Sequence, residues 1–163
     1  MPLLNTGDPF PRLTVDTIDG QALAIPDAFA GEFVTVLFNR GSWCPFCNAQ
    51  LRAFQRASQT LADAGIRVVS LSVDDKDTAA AMAADNKLMF PVGYGADAHA
   101  ISELTGAFVN RDPVYLQSTG FVLDPAGYVV VSVYSSGAIG RLVPEDVAGL
   151  VRYVREHTQS QQA

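Results

Sequence analysis

The feature that most constrains the fold is an uninterrupted apolar run at residues 33–39, Phe-Val-Thr-Val-Leu-Phe-Asn. These residues are nearly all β-branched or aromatic, and no polar residue alternates with them. Such a run predicts a central strand that is buried on both faces of a sheet. A second buried strand is predicted at residues 66–73, after a stretch of helical periodicity. Because strand and helix signals alternate in this way, we expect βα units and a partly parallel sheet covered by helices.

The remaining periodicity predicts one α/β domain over residues 1–163, with a polar tail at residues 158–163. Asp19-Gly20 is a hairpin-turn signal, so a β-hairpin is expected before the central strand. A second hairpin is expected across residues 125–127, which would make the sheet mixed. Helices are predicted over 44–62 with Gly65 as the terminating glycine, over 77–86 with Asp77-Thr78 as the cap, over 97–106, and from Pro144 onward.

Composition excludes several classes of protein. The 163 residues carry a formal net charge of -6, which disfavours binding to a nucleic acid backbone. No apolar run reaches the ~18 residues of a transmembrane helix. The first ten residues lack a basic region followed by an apolar stretch, so no signal peptide is expected and a cytoplasmic location is predicted. We therefore expect neither nucleic acid nor membrane as a partner.

The sequence contains two cysteines, Cys44 and Cys47, and both lie in the segment Gly-Ser-Trp-Cys-Pro-Phe-Cys. A structural disulfide is disfavoured in a reducing compartment, and this one would close too short a loop to restrict the unfolded chain much. A zinc site normally needs four ligands, and a second cysteine pair is absent. Redox chemistry is therefore the favoured interpretation, and no metal or other cofactor is predicted.

The position of the pair favours a reactive thiolate. The central strand ends near Asn39 and a helix is predicted to begin near Cys44, with Pro45 at its first position. Unpaired N–H groups and the helix dipole at such an N-terminus stabilise negative charge, so the pKa of the more exposed cysteine should fall. Arg40 is the nearest cation in sequence. One sulfur of the pair can then attack a substrate, and the other can resolve the product by forming a disulfide with the first.

The chain resembles the thioredoxin superfamily, and within it the peroxiredoxin-like group of alkyl hydroperoxide reductases and thiol-specific antioxidants. The segments that carry the resemblance are residues 7–13, 19–20, 37–38, 43–47, 72–74, 90–92 and 121–127. The resemblance implies a thioredoxin-like fold: a mixed central sheet flanked by helices, with an N-terminal β-hairpin extension. It also implies a thiol-dependent redox enzyme that uses Cys44 and Cys47.

Two departures from the family pattern leave the attacking cysteine open. Thioredoxins have a cis-proline at the place of Ser118, and this chain lacks it. Peroxiredoxins have an arginine at a similar place, which holds the reactive thiolate, and this arginine is missing as well. If Cys47 attacks, the family's active-site proline and threonine are replaced by Arg40 and Cys44. If the pair works as in thioredoxins, Cys44 attacks and Cys47 resolves. Cys44 is favoured here because we expect it at the exposed tip of the helix.

Each supporting residue has a functional and a structural interpretation. Arg40 would stabilise a thiolate or lie in solvent, and Trp43 would shield the site, contact a partner or pack in the core. Ser118 and Thr119 would face the cysteines or serve ordinary turn geometry. The more remote candidates are all expected to have ordinary surface or capping roles: His99, His157, Arg111 and the aspartates at 74, 75 and 77.

Three functions remain open on the sequence, and the first is the favoured prediction because the resemblance covers nearly the whole chain. The first is a thiol peroxidase that reduces hydrogen peroxide or alkyl hydroperoxides through a Cys44–Cys47 disulfide. An external thiol system, thioredoxin or glutathione, would then reduce this disulfide. The second is a thiol–disulfide oxidoreductase acting on protein disulfides. The third is a redox-sensing domain without catalysis. A homodimer is left open.

Overall fold

The structure is a computed structural model that describes residues 3–162. The strands are β1 (Leu13–Thr17), β2 (Ala22–Ile25), β3 (Phe33–Phe38), β4 (Ile66–Leu71), β5 (Val92–Tyr94), β6 (Val109–Arg111), β7 (Val114–Leu116), β8 (Thr119–Leu123) and β9 (Val129–Tyr134). The helices are α1 (Pro45–Arg56), α2 (Ser58–Asp63), α3 (Lys76–Asp85), α4 (Ala98–Thr105) and α5 (Pro144–Gln162), with a 3₁₀ turn at Asp27–Phe29.

The central sheet has seven strands in the order β2-β1-β5-β4-β3-β8-β9. β3 is parallel to β4 and antiparallel to β8, so the predicted mixed sheet is confirmed. The β1–β2 hairpin extends one edge of this sheet, as expected from Asp19-Gly20. None of the helices in residues 3–162 combines the length and the apolarity needed to cross a bilayer.

β3 is buried on both faces, as its apolar run predicts. All six of its residues are buried. Val36 and Phe38 belong to the core on one face, where the Phe121 ring lies 5.6 Å from the Phe38 ring and 5.1 Å from the Phe10 ring. Leu37 belongs to the core on the other face, with residues of α1, α2, α3 and α5. The carboxyl end of β3 is therefore held from both sides.

Several predicted boundaries differ from the structure. The helix expected over 44–62 is interrupted at Ala57, which caps both α1 and α2, and Gly65 follows α2 with a positive φ as expected. The predicted cap at Asp77-Thr78 is wrong: the Asp75 carboxylate accepts the backbone N–H of Thr78, so the N-cap lies two residues before Asp77 and α3 begins at Lys76.

Two further segments differ from the simple strand and helix order. β6 and β7 form a separate two-stranded ribbon that the sequence did not suggest, because each strand has only three residues. α5 begins at Pro144 as predicted and continues through the polar residues to Gln162. Ala163, the end of the predicted polar tail, lies outside the described residues.

We expect Phe121→Ala to destabilise the fold by about 3–5 kcal/mol, because the side chain is fully buried and its removal leaves a cavity between aromatic rings. Phe108→Ala is the matched control, since the Phe108 side chain is 47% exposed. Urea unfolding of both variants measures the difference. Equal losses would contradict the central place of Phe121 in the core.

Candidate active site

The cysteine pair lies where β3 passes into α1. Cys44 is the N-cap of α1, Pro45 is its first residue, and Cys47 is in its first turn, as the sequence predicts. The Cys47 backbone N–H donates to the Cys44 sulfur at 3.3 Å. The Cys44 sulfur therefore takes the capping position at which a helix favours negative charge.

Both cysteines are free thiols and both are buried, with 0% of Cys44 and 1% of Cys47 exposed. The expectation that Cys44 lies at an exposed helix tip is therefore wrong. The cause is the position of two arginines, Arg40 and Arg141, each of which places a guanidinium nitrogen 3.7 Å from the Cys44 sulfur. Exposure does not distinguish the two cysteines.

Arg40 contacts both sulfurs. Its backbone N–H donates to the Cys47 sulfur at 3.3 Å, and its Nη1 donates to the Cys44 sulfur at 3.7 Å. Its Nε donates to the Gln117 Oε1 at 3.0 Å and its Nη2 to the Tyr115 hydroxyl at 3.1 Å. Of the two interpretations of Arg40, the geometry supports a residue of the site rather than a solvated loop residue.

Arg141 is the site residue that sequence reasoning missed. Its Nη2 donates to the Cys47 sulfur at 3.0 Å, and its Nη1 donates to the Gln50 Oε1 at 2.7 Å. β9 runs antiparallel to β8, which runs antiparallel to β3, so β9 ends at the same sheet edge as β3. The sequence signal that pointed to Arg141 was therefore a cationic residue soon after the last strand.

The two cysteines have different tendencies to ionise. Burial acts to raise the pKa of Cys44, but hydrogen bonds from the Cys47 thiol, the Cys47 backbone N–H and Arg40, together with the charge of Arg141, lower that pKa overall. Burial and the hydrogen bond with Cys44 raise the pKa of Cys47, although Arg141 and the Arg40 backbone N–H oppose this. The arrangement favours a Cys44 thiolate beside a Cys47 thiol.

The loop before α1 is fixed by side chains from neighbouring elements. The Asp74 carboxylate, just after β4, accepts the Ser42 backbone N–H at 2.8 Å. The Asn48 side chain donates to the carbonyls of Ser42 at 2.9 Å and Cys44 at 3.1 Å. Asn86, the C-cap of α3, donates to the Asn48 side chain at 2.8 Å. These contacts hold the cysteine loop against the sheet edge.

Trp43 is 54% exposed, so the core-packing interpretation is wrong for this residue. Its ring lies edge to face with Tyr115 at 5.0 Å, and the Arg40 guanidinium lies 5.0 Å from the ring centroid. Gly41 leaves room for the indole, because a Cβ at that position would lie 2.2 Å from the Trp43 Nε1. Trp43 therefore covers the outer side of Arg40.

The other candidates have structural partners. Ser118 and Thr119 are buried, the Thr119 hydroxyl donates to the Gln117 carbonyl, and in residues 3–162 neither hydroxyl is hydrogen-bonded to a cysteine. Asp75 is a helix cap and Asp74 binds the Ser42 N–H. Within the part of the chain that the structure describes, no group of three or more His, Cys, Asp or Glu side chains is placed to hold a metal ion.

A mainly apolar cleft of about 340 Å³ adjoins the site between α1 and residues 139–144. Phe46, Ala53, Ile139 and Val143 are among its walls, and Arg141 also lines it. The same guanidinium that contacts the Cys47 sulfur therefore borders a cleft that is open to solvent.

Comparison with known proteins identifies the family of the chain. The model of the AhpC/TSA family matches residues 6–132. The chain belongs to the AhpC/TSA family. Among relatives, a peroxiredoxin of Treponema denticola is 27% identical in an alignment of length 153 that covers 90% of this chain and 71% of that protein. A peroxiredoxin of Chlorobaculum tepidum is 27% identical in an alignment of length 151 that covers 89% of this chain and 69% of that protein.

Solved structures support the fold expected for an AhpC/TSA protein. Enterococcus faecalis AhpC superposes with a TM-score of 0.80 at 18% identity, over 96% of this chain and 97% of that one. Mycobacterium tuberculosis AhpC superposes with a TM-score of 0.76 at 21% identity, over 94% of each chain. The thioredoxin-like fold that the sequence resemblance implied is confirmed.

We expect Arg141→Met to raise the pKa of both cysteines, because the variant removes a positive charge that lowers each of them. Alkylation by iodoacetamide at neutral pH should slow about tenfold, the change that accompanies loss of a close opposite charge. The ultraviolet absorbance of the thiolate, followed against pH, locates the shift in pKa directly. Arg56→Met at the exposed C-terminal end of α1 is the control, and an equal effect there would contradict the role of Arg141.

Proposed function

We propose that this AhpC/TSA protein is a thiol peroxidase in which the Cys44 thiolate attacks the peroxide and Cys47 resolves the product. The observation that carries the proposal is the pair of guanidinium groups, Arg40 and Arg141, on the Cys44 sulfur at the N-terminus of a helix. Both stabilise the thiolate before the reaction and the oxygen that leaves during it.

The reaction proceeds in two steps at the sulfurs. The Cys44 thiolate attacks the terminal oxygen of a hydroperoxide, the O–O bond breaks, and the leaving alkoxide or hydroxide takes up a proton to become an alcohol or water. Cys44 is then a sulfenic acid. The Cys47 sulfur attacks the Cys44 sulfur, the S–O bond breaks, and the hydroxyl leaves as water with the Cys47 proton. The product is a Cys44–Cys47 disulfide.

Placement of the second sulfur supports this sequence. Cys44 is the helix N-cap and Cys47 lies within the same turn, so its backbone N–H already contacts the Cys44 sulfur. The raised pKa of Cys47 keeps this residue a thiol until the sulfenic acid forms. Two reactive groups in adjacent positions react far faster than the same groups free in solution.

Turnover requires an external dithiol or two thiols, which become a disulfide as the Cys44–Cys47 bond is reduced. We propose a thioredoxin or glutathione system as this reductant and the cytoplasm as the location, because a reducing compartment supplies such thiols. We also propose that residues 1–163 act as a single domain. Repeated turnover when this reductant is supplied distinguishes an enzyme from a sensor that is oxidised only once.

The decisive measurement is the rate at which the reduced protein reacts with one equivalent of hydrogen peroxide, followed by the fluorescence of Trp43. We expect a rate far above that of a free cysteine. Cys44→Ser should abolish the fast reaction. Cys47→Ser should retain it but accumulate a sulfenic acid, detected with dimedone, instead of a disulfide.

Two outcomes would contradict the proposal. Loss of the fast phase in Cys47→Ser with retention in Cys44→Ser would exchange the roles of the two cysteines. A wild-type rate no better than that of a free thiol would exclude a peroxidase, and insulin reduction by the same samples would then test for a thiol–disulfide oxidoreductase.

We expect the peroxide reaction to persist below the pH at which an ordinary cysteine becomes protonated, because the pKa of Cys44 is lowered. The rate should fall only when the pH drops below this lowered pKa, since the attacking species is the thiolate. Stopped-flow rates across a pH series give the midpoint. A midpoint at the value of a free thiol would contradict the electrostatic account.

A further inference from the structure

The Arg40 guanidinium is held by partners from the β7 strand and the residue that follows it. Gln117 accepts the Nε–H and Tyr115 accepts an Nη2–H, which leaves Nη1 directed at the Cys44 sulfur. Gln117 is itself fixed, because its side chain is buried and its backbone N–H donates to the Phe108 carbonyl at 2.8 Å. The orientation of Arg40 therefore depends on residues about 75 positions further along the chain.

Apart from the Cys44 sulfur, the side chains that accept hydrogen bonds from Arg40 are the Gln117 amide and the Tyr115 hydroxyl, and neither is a carboxylate. In residues 3–162 the salt bridges are Arg12–Asp27 and Arg67–Glu32, so the site arginines have none. The Asp74 carboxylate, which contacts the cysteine loop from the segment after β4, accepts the Ser42 backbone N–H. The positive charge of Arg40 is thus not cancelled by a carboxylate.

The charged and titratable groups around Cys44 come from three segments. Arg40 comes from the loop after β3, Cys47 from α1 and Arg141 from the segment after β9, while Tyr115 on β7 faces Arg40. A carboxylate at the place of the Gln117 amide would accept the same hydrogen bond. It would also neutralise the guanidinium that faces the sulfur, because opposite charges at this distance attract strongly in a poorly solvated site.

We propose that Gln117 is a positioning residue whose uncharged amide directs Arg40 onto the Cys44 sulfur while leaving the full positive charge of Arg40 available to the thiolate. This rests on the proposed peroxidase function for its catalytic consequence, but its effect on the thiol itself does not. Gln117 touches neither sulfur and acts only through Arg40.

The test compares Gln117→Glu, which keeps the acceptor but adds a negative charge, with Gln117→Met, which removes the acceptor at similar size. Gln21→Glu is the control, since it adds the same charge at the exposed β1–β2 turn on the far edge of the sheet. Each variant is assayed for the pH dependence of iodoacetamide alkylation and of the hydrogen peroxide reaction, after its thermal unfolding confirms that it is folded.

We expect Gln117→Glu to move both pH profiles to higher pH and to slow both reactions about tenfold below the midpoint, as the loss of a nearby cation does. Gln117→Met should move the profiles in the same direction, because Arg40 loses its orientation. Gln21→Glu should match the wild type.

Coincident profiles for Gln117→Glu and the wild type would overturn the proposal, since they would mean that only a hydrogen-bond acceptor is needed. Coincident profiles for Gln117→Met and the wild type would overturn it as well, and this comparison decides the matter if the Glu variant does not fold. Failure of the proposed function is separate: a wild type that is slow with peroxide would leave the alkylation profiles as the readout for Gln117.

Discussion

The site depends on one buried strand. β3 is hydrogen-bonded to β4 on one side and β8 on the other, and cores pack against both of its faces. Its last residues have little freedom, so the loop that follows starts from a fixed point. Asp74, after the neighbouring strand β4, then holds this loop through the Ser42 N–H. The sheet, rather than the loop itself, thus determines the positions of the two sulfurs.

Burial of the sulfurs and their charge oppose each other. Removing a thiol from water raises the free energy of its ionised form, and this effect is the largest contribution for both cysteines. For Cys44 the surrounding donors outweigh it, and for Cys47 they do not. The two cysteines therefore differ because Cys44 accepts hydrogen bonds from the Cys47 thiol, the Cys47 backbone N–H and the Arg40 side chain, whereas the hydrogen bond between the two thiols raises the pKa of Cys47.

Much of this arrangement follows from local sequence. The apolar run at 33–39 predicts the central strand, and the spacing of Cys44, Pro45 and Cys47 predicts the start of α1. What local sequence does not supply is the cover over the sulfurs, because Arg141 lies 97 residues from Cys44 along the chain. Its approach requires β9 to end at the same end of the sheet as β3, which depends on the pairing of both strands with β8. The wrong expectation of an exposed Cys44 has the same cause.

The stable thiolate has a consequence for the energetics of the disulfide. The charges that lower the pKa of Cys44 stabilise the reduced pair, and they lose their partner when the sulfurs are joined. A dithiol that is stabilised in this way has a higher reduction potential, as strongly oxidising thiol pairs do. The electrostatics that favour the Cys44 thiolate therefore also make its disulfide easier for another thiol to reduce. The same two arginines speed the proposed attack on a peroxide and favour the later reduction of the disulfide.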